Sequence, residues 1–352
     1  MAYKVQMTTL QRLLGIELPI IQAPMAGVQG HALAAAVSNA GGLGSLPCAM
    51  LDPAGMRKEL TALKAATARP FNVNFFCHTP PTPSADREAG WRAALAPYYA
   101  EFGIDAGKIP AGAGRNPFSA EAADVIAEFN PPVVSFHFGL PPPQLLARAK
   151  SIGAKIMSSA TTVDEARWLE AQGVDVIIAQ GLEAGGHRGI FLSEDLSTQV
   201  GTFALLPQIV RAVKVPVIAA GGIADAKGVA AATALGAAGA QLGTAFLLCP
   251  ESTTSTVHRA ALKSEAARHT ALTNIFTGRA ARGIVNRIIR EIGPMSAAAP
   301  AFPLATAAIA PLRAKAESTG SGDFSPLWSG QNASRCREVP AAQLTRELAV
   351  DL

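Results

Sequence analysis

The sequence is poor in cysteine and lacks any pair of cysteines close together. It contains four cysteines in 352 residues and no CxxC motif, a spacing that fits neither a disulfide framework nor a zinc site. We therefore expect reduced thiols in a cytoplasmic protein, and no metal. The four positions are Cys48, Cys77, Cys249 and Cys336.

Charge and long apolar runs are also scarce. Charged residues make up 16% of the chain, and the net charge is +4 with no run of Lys or Arg that would follow a phosphate backbone. No stretch of about 20 apolar residues could span a bilayer, and the N-terminus lacks the apolar core of a secretion signal. Neither nucleic acid nor a membrane is expected as a partner.

Apolar residues, in contrast, are abundant at 49% of the chain. They suffice for a large core, in one barrel-sized domain or two smaller ones. Short apolar runs alternate with Ala-rich amphipathic stretches, as in parallel strands covered by helices. The predicted strands are Pro19–Met25, Gly42–Leu46, Phe71–Phe76, Val133–Phe138, Lys155–Ser159, Val174–Ala179, Val215–Ala220 and Gly239–Gly243. The predicted helices are His31–Asn39, Ala54–Ala66, Ala120–Phe129, Pro143–Ile152, Val163–Gln172, Gly201–Val213 and Lys227–Leu235.

Eight strand and helix pairs predict an α/β fold, the (β/α)8 TIM barrel, whose catalytic groups lie at the C-terminal ends of the strands. Residues 79–117 are too long for a plain connection and predict a helical insertion after the third strand. Residues 284–352 are a C-terminal extension, and both segments are expected to cover the barrel mouth. The barrel itself is assigned to residues 1–78 and 118–283.

The segment Ala179–Gly189 follows the β-branched run Val174–Ile178 and places His187 directly after two glycines. Glycine lets backbone N–H groups approach a ligand, and an imidazole exchanges protons near neutral pH. The segment therefore predicts catalysis by His187. A Gly-rich turn with an exposed histidine would also account for Gly185 and Gly186, but not for two further Gly-rich strand ends downstream.

Those two strand ends are the last two of the predicted barrel. Gly222, Gly243 and Thr244 stand where this architecture holds phosphate through bare N–H groups and a hydroxyl. The alternative is that these glycines only turn the chain. A phosphate site alone would not distinguish a flavin from a sugar phosphate.

Polar and sulfur-containing side chains at other strand ends suit a flat ring. Pro24 interrupts the first strand, and Met25 after it can pack on a ring face, although a methionine is more often core. Asn74 lies towards the C-terminal end of the third predicted strand and Gln180 directly follows the sixth, where amides can satisfy the donors and acceptors of a flavin ring.

Seven motifs together resemble the class I nitronate monooxygenases, formerly called 2-nitropropane dioxygenases. The glycine and histidine motif is also similar to one in flavin-dependent enoyl-acyl carrier protein reductases, whereas the strand-four and C-terminal motifs favour the monooxygenases. The motifs are Gln22–Gly27, Ser38–Gly44, Asn72–Phe76, Val134–Gly139, Glu183–Arg188, Gln241–Thr244 and Leu327–Gln331.

The resemblance implies FMN bound without covalent attachment, His187 as the catalytic base and His137 in the substrate pocket. Nitronates or nitroalkanes and O2 would be the small-molecule partners, giving a carbonyl compound and nitrite. A homodimer is compatible with the sequence. The expected FMN-binding set is Ala23, Pro24, Met25, Asn74, Gln180, Gly185, Gly186, Gly222, Gln241, Leu242, Gly243 and Thr244.

One segment departs from the family pattern. Where relatives that favour propionate 3-nitronate have two tyrosines and a lysine, this chain has Phe302, Thr306 and Ala310, so those hydroxyl and ammonium donors are missing. We expect an apolar pocket that accepts simple alkyl nitronates.

The remaining histidines are expected to take no direct part in the chemistry. His31, His258 and His269 are expected to be solvated, and His78 to touch the pocket rim.

Two other functions stay open at this point. One is a nicotinamide-dependent flavin reductase of enoyl thioesters or quinones. The other is a protein that binds FMN or another phosphate ligand without catalysis.

Overall fold

The structure is a computed structural model that describes residues 8–109 and 115–351. Its strands are β1 (Ile20–Gln22), β2 (Gly44–Pro47), β3 (Phe71–Phe76), β4 (Val133–His137), β5 (Lys155–Ala160), β6 (Val176–Gln180), β7 (Gly186–His187), β8 (Val217–Ala220), β9 (Gly239–Leu242), β10 (Thr270–Thr273) and β11 (Ala281–Ile284). Its helices are α1 (Thr9–Leu14), α2 (His31–Asn39), α3 (Pro53–Ala66), α4 (Ala85–Phe102), α5 (Ala120–Phe129), α6 (Pro143–Ser151), α7 (Val163–Ala171), α8 (Thr202–Ala212), α9 (Ala226–Ala234), α10 (Thr256–Lys263), α11 (Arg287–Ile292), α12 (Ala305–Ser318) and α13 (Ala341–Leu348).

A barrel of eight parallel strands forms the centre of the described chain. The strands pair in the order β1, β9, β8, β6, β5, β4, β3, β2. The sheet closes where Ile21 bridges Leu43 in parallel, with the Gln22 N–H donating to the Leu43 carbonyl at 2.9 Å. The predicted α/β barrel is confirmed. All eight of its strands overlap the predicted ones.

The strands and helices follow from local sequence. Every residue of β3 is buried, as expected for a strand of a barrel covered on the outside by helices and filled inside by side chains. The helix starts carry short acceptors: Asp52 and Asp225 accept from the N–H groups of Gly55 and Gly228, which satisfies donors that a helix leaves free.

Strand ends deviate from prediction by up to three residues. β1 ends at Gln22 instead of Met25, because Pro24 has no N–H to continue the ladder. β6 begins at Val176 instead of Val174 and extends to Gln180. Because all eight barrel strands are parallel, these shifts do not change the prediction that their C-terminal ends lie on one side of the barrel.

The insertion contains α4, which packs against α12 of the C-terminal extension. Trp91 of α4 donates its indole N–H to the Ala305 carbonyl at 3.1 Å, and Tyr99 donates its hydroxyl to the Ala308 carbonyl at 2.6 Å. Both side chains are buried in a second apolar cluster outside the barrel. No described helix is long and apolar enough to cross a membrane.

A small antiparallel sheet was not predicted from the sequence. β11 pairs with β10 on one side and with β7 on the other. β7 has only two residues, too few to give a period of two that a sequence could reveal. This sheet ties the segment after β6 to a part of the chain almost 100 residues downstream.

Candidate active site

A cavity opens at the C-terminal ends of the barrel strands, where a TIM barrel carries its chemistry. It encloses about 1360 Å³ of empty space, counted out to its open mouth. Fourteen of the predicted site residues line it: Ala23, Pro24, Met25, Asn74, His137, Gln180, Gly185, Gly186, His187, Gly222, Gln241, Leu242, Gly243 and Thr244.

Phe302 and Thr306 do not line this cavity. The Phe302 ring packs against the ring of His187, which does line the cavity, at 5.2 Å between the ring centroids. The Thr306 hydroxyl accepts from Arg115 at 3.1 Å and donates to the Phe276 carbonyl at 3.2 Å. Ala310 is exposed on α12.

The backbone around His187 is held from several sides. β7 pairs with β11 with His187 opposite Ala281. The His187 carbonyl accepts from the Gln180 side-chain Nε2 at 3.0 Å, and the side-chain oxygen Oε1 of Gln180 accepts from Gly189 N–H at 2.7 Å. Next to it, the fully buried Arg188 guanidinium donates to the Gly181 and Gln180 carbonyls at 2.7 and 2.8 Å. The segment is therefore a fixed support and not a mobile Gly-rich turn.

Four aromatic rings surround the imidazole of His187. Their centroids lie 5.2 to 6.1 Å from its own, and the contacts are tilted or edge-on. The ring Nε2 lies 2.9 Å from the Thr277 hydroxyl. The four rings belong to Phe76, Phe138, Phe302 and Trp328.

Burial and nearby cations make His187 a neutral imidazole at pH 7. Burial is the larger cause, and the guanidinium groups of Arg115 and Arg279 add to it, holding the pKa of His187 well below its ordinary value. A neutral imidazole has a free lone pair and can accept a proton. An anion placed beside it would raise this pKa again.

His137 supports His187 through hydrogen bonds. Its Nε2 lies 3.2 Å from the His187 carbonyl, which can only accept, so Nε2 carries the proton and Nδ1 accepts from Ser159 at 3.0 Å. Burial lowers the pKa of His137 to about 4. This residue lines the cavity, yet both of its ring nitrogens are already engaged.

The strand ends of β8 and β9 form a cradle of exposed backbone. Gly222 has φ +74°, a conformation that favours glycine, and a side chain at Gly185 would meet the Gly330 nitrogen at 2.5 Å. The Thr244 hydroxyl accepts from Gly330 N–H at 2.9 Å, so its own proton is free to donate. N–H groups, glycines and a hydroxyl of this kind fit a phosphate.

The same cavity has acceptors suited to a flavin ring. The Gln241 side-chain oxygen is buried and has no hydrogen-bond partner within the described chain, although it lies in the cavity wall. Asn74 uses its amide N–H groups on Ser135 at 2.9 and 3.3 Å, which leaves its oxygen available. A buried acceptor without a donor is costly, so these residues fit a ligand whose ring presents N–H groups.

Gln180 differs from the expectation for a free amide. Its N–H group and its oxygen both bond to the main chain of the His187 segment. The contact of Gln180 with a flavin stays a prediction. In the structure its amide acts on the position of His187.

Sequence reasoning missed the cations around the pocket. Arg115 lines the cavity, with its guanidinium carbon 5.8 Å from the Phe302 ring centroid, and that of Arg279 lies 4.1 Å from the Phe138 centroid. Both belong to connecting segments with no periodic signal, so nothing local indicates that they approach the site. They make the surroundings of His187 more cationic than the expected apolar pocket.

His258 and His78 are both buried. His258 was expected to be solvated, and this is wrong: it is 6% exposed, lines the cavity and donates to the Trp328 carbonyl at 3.0 Å. The extension that covers it is far away in sequence, which hid the burial. His78 does not line the cavity, but packs its buried ring edge-on against Phe302 at 4.7 Å.

The two other histidines expected to be solvated differ from each other. His269 is exposed, whereas His31 is partly buried and bonds through Nδ1 to the Glu59 carboxylate at 2.9 Å. Neither lies in the cavity wall.

Comparison with known proteins gives consistent matches over the whole chain. The nitronate monooxygenase family model matches residues 7–351. A nitronate monooxygenase of Paraburkholderia phytofirmans is 44% identical over 346 residues, 97% of this chain and 93% of the relative. One of Pseudomonas aeruginosa is 43% identical over 347 residues, 97% and 98% of the two chains. The solved nitroalkane oxidase of Streptomyces ansochromogenes aligns with a TM-score of 0.88 and 41% identity over 97% of each chain.

Proposed function

The chain belongs to the nitronate monooxygenase family, and on that premise we propose that it oxidises alkyl nitronates with FMN and O2. The products are a carbonyl compound and nitrite. Neutral nitroalkanes are substrates as well, after His187 has removed a proton. The observation that carries this proposal is the His187 imidazole, with its backbone held by hydrogen bonds and its pKa lowered by burial, in the same cavity as a cradle of glycines and a threonine.

We assign FMN to this cavity because both ends of the molecule find suitable groups. Gly222, Gly243 and Thr244 would hold the phosphate, and the Gln241 oxygen would accept a ring N–H. Met25 would pack on the ring face. When bound, FMN supplies the redox chemistry of the nitronate oxidation, while the protein supplies binding and orientation.

The protein's own step is proton removal from a neutral nitroalkane. The carbon beside a nitro group is unusually acidic, so an uncharged imidazole can take its proton. His187 has its backbone fixed by β11 and Gln180, so the base stays in one place. A nitronate supplied as the anion has already lost this proton and does not need the base.

The substrate proposed here is a simple alkyl nitronate. The aromatic rings around His187 favour an apolar chain, and the tyrosines and lysine of carboxylate-preferring relatives are absent at Phe302, Thr306 and Ala310. The negative charge of the nitronate itself suits the cationic surroundings supplied by Arg115 and Arg279.

The first experiment is anaerobic mixing of the purified FMN-loaded protein with ethyl nitronate. We expect a prompt change in the flavin absorbance, followed by release of nitrite only after O2 is admitted. Flavin reduction by NADH or NADPH, with no response to the nitronate, would contradict the proposal and favour the reductase of enoyl thioesters or quinones. No turnover of either kind would favour a binding protein.

A second experiment tests the substrate class. The kcat/KM values for ethyl nitronate, propyl-2-nitronate and propionate 3-nitronate are compared under air. We expect the two alkyl nitronates to be used at least as well as the carboxylated one. A strong preference for propionate 3-nitronate would overturn the substrate assignment but not the reaction.

A further inference from the structure

Thr277 touches the His187 ring without taking part in the cavity wall. Its hydroxyl oxygen lies 2.9 Å from Nε2 of His187 and 3.4 Å from the Arg279 carbonyl oxygen. The Thr277 side chain is 2% exposed, and it is not among the residues that line the cavity. Any effect of Thr277 on chemistry therefore has to pass through His187.

One direction of the hydroxyl proton satisfies both contacts of Thr277. A carbonyl oxygen can only accept, so both contacts are hydrogen bonds when the hydroxyl proton points to Arg279 and the hydroxyl oxygen accepts from His187. Nε2 of His187 then carries a proton, and Nδ1 carries the lone pair. Within the described chain, Nδ1 has no hydrogen-bond partner, and His187 lines the cavity.

The backbone of Thr277 is fixed in the turn between β10 and β11. Gly278 donates to the Asn274 carbonyl at 2.7 Å. The Asn274 side chain in turn bonds to the backbone of Ser296 at 2.9 and 3.0 Å. A side chain at Gly278 would meet the Pro300 carbonyl at 2.1 Å, so the turn lies directly against the extension. The position of the Thr277 hydroxyl is thus set by the fold and not by His187.

We propose that Thr277 is a positioning residue that keeps His187 protonated at Nε2, so that Nδ1 is the atom that removes the proton from a neutral nitroalkane. In this step the C–H bond breaks, an N–H bond forms at Nδ1, and the electron pair stays on the nitroalkane as nitronate. The resulting imidazolium keeps its Nε2–H bond to the Thr277 oxygen. This inference rests on the proposed function for its substrate.

The test compares Thr277→Val, which keeps the shape and removes the hydroxyl, with Thr277→Ser, which restores it. Thr273→Val is the control, because Thr273 is another buried threonine of the same segment whose hydroxyl accepts from Ile275 N–H. For each variant, kcat/KM is measured with nitroethane and with ethyl nitronate.

We expect Thr277→Val to lower kcat/KM for nitroethane about tenfold or more and to leave ethyl nitronate within about twofold. Thr277→Ser and Thr273→Val should both remain close to the wild type with nitroethane. Equal losses with the two substrates, or unchanged nitroethane turnover in Thr277→Val, would overturn the inference.

A second measurement reads the tautomer directly. Nitrogen-15 NMR of histidine-labelled protein, with the His187 signals assigned by their loss in His187→Asn, should show Nε2 protonated and Nδ1 bare. In Thr277→Val this preference should weaken. A proton on Nδ1 in the wild type would refute the inference. If the wild type oxidises neither substrate, the proposed function fails, while the NMR result still decides what Thr277 does to the ring.

Discussion

The imidazole of His187 illustrates how surroundings adapt one residue to one task. Its low pKa keeps it uncharged at neutral pH, which secures the lone pair but makes it a weak base. In the proposed reaction the substrate compensates, since the nitronate formed would be an anion among cationic groups such as Arg115. A neutral base and a stabilised anionic product together favour proton removal.

We predict that His187→Asn separates the two substrate types. Turnover of nitroethane should fall about 100-fold or more, because general base catalysis by a positioned residue contributes about that much. Oxidation of ethyl nitronate should change by only a few fold. Nitrite release by each substrate is the measurement, with His269→Asn on the exposed surface as the control. Equal loss with both substrates would show that His187 holds the flavin or the substrate and does not act as the base.

Gln241 has a buried hydrogen-bond acceptor that suits an N–H group of a bound ring. Its side-chain oxygen is buried without a donor in the described part of the chain. We predict that Gln241→Leu weakens FMN binding about tenfold, the effect of losing one buried hydrogen bond of about 1–3 kcal/mol. The dissociation constant from flavin fluorescence is the measurement.

The control is Gln343→Leu on α13, where the amide is exposed and bonds to Glu347. Its FMN affinity should equal that of the wild type. Unchanged affinity in Gln241→Leu would mean that this oxygen faces no ring donor and that the ring is oriented by other groups.

At the level of elements, α4 and α12 hold the insertion and the extension together. The Trp91 indole N–H satisfies the Ala305 carbonyl inside the second apolar cluster. We predict that Trp91→Phe lowers the free energy of unfolding by about 1–3 kcal/mol, because that carbonyl is left buried without a donor. Denaturant unfolding measures it, and Trp168→Phe, at a residue 36% exposed, is the matched control. An equal change in both variants would rule out this hydrogen bond as the cause.

The elements also show what local sequence can reveal. Continuous short apolar runs such as Val217–Ala220 are typical of a sheet that is covered on its outer face, so the barrel strands were predictable to within a few residues. β7 was not, since two residues carry no period and its stability comes from pairing with β11. The same holds for α4 against α12, whose contacts join positions more than 200 residues apart.

For the molecule as a whole, buried histidines make stability depend on pH. Burial lowers the pKa of His78, His137 and His258 to about 4, against 6.5 for an exposed histidine. Between these values the unfolded chain binds more protons than the folded one. This contribution to stability is therefore complete above pH 6.5 and is lost as the pH falls towards 4.

We predict that the free energy of unfolding falls between pH 7 and pH 4.5, by at most about 1.4 kcal/mol per pH unit for each such histidine. Urea unfolding at several pH values measures it. His258→Asn should show a smaller dependence on pH, while His269→Asn, at an exposed site, should follow the wild type. An unchanged slope in His258→Asn would show that the pKa of this histidine is the same in the folded and unfolded protein.

The candidate site could be predicted only for residues that lie at the end of a predicted strand. Residues such as Asn74, Gly222 and Thr244 follow directly from strand positions, and the barrel architecture brings them together. Arg115, Thr277 and Arg279 come from connecting segments and reach His187 through tertiary packing alone. The site therefore combines a part encoded locally with a part that exists only in the folded chain.

The pairing of β7 with β11 has a consequence for biosynthesis. Once Leu242 has left the exit tunnel of the ribosome, every strand of the barrel is free to pair, whereas Thr277, Ala281 and Trp328 are still inside the tunnel or not yet added. The nascent protein would be able to form the strand ends of β8 and β9 before His187 has the support of β11 and Thr277. The support of His187 by β11 is thus the last part of the candidate site to form, and a chain terminated before Ala281 would lack it even where its barrel had folded.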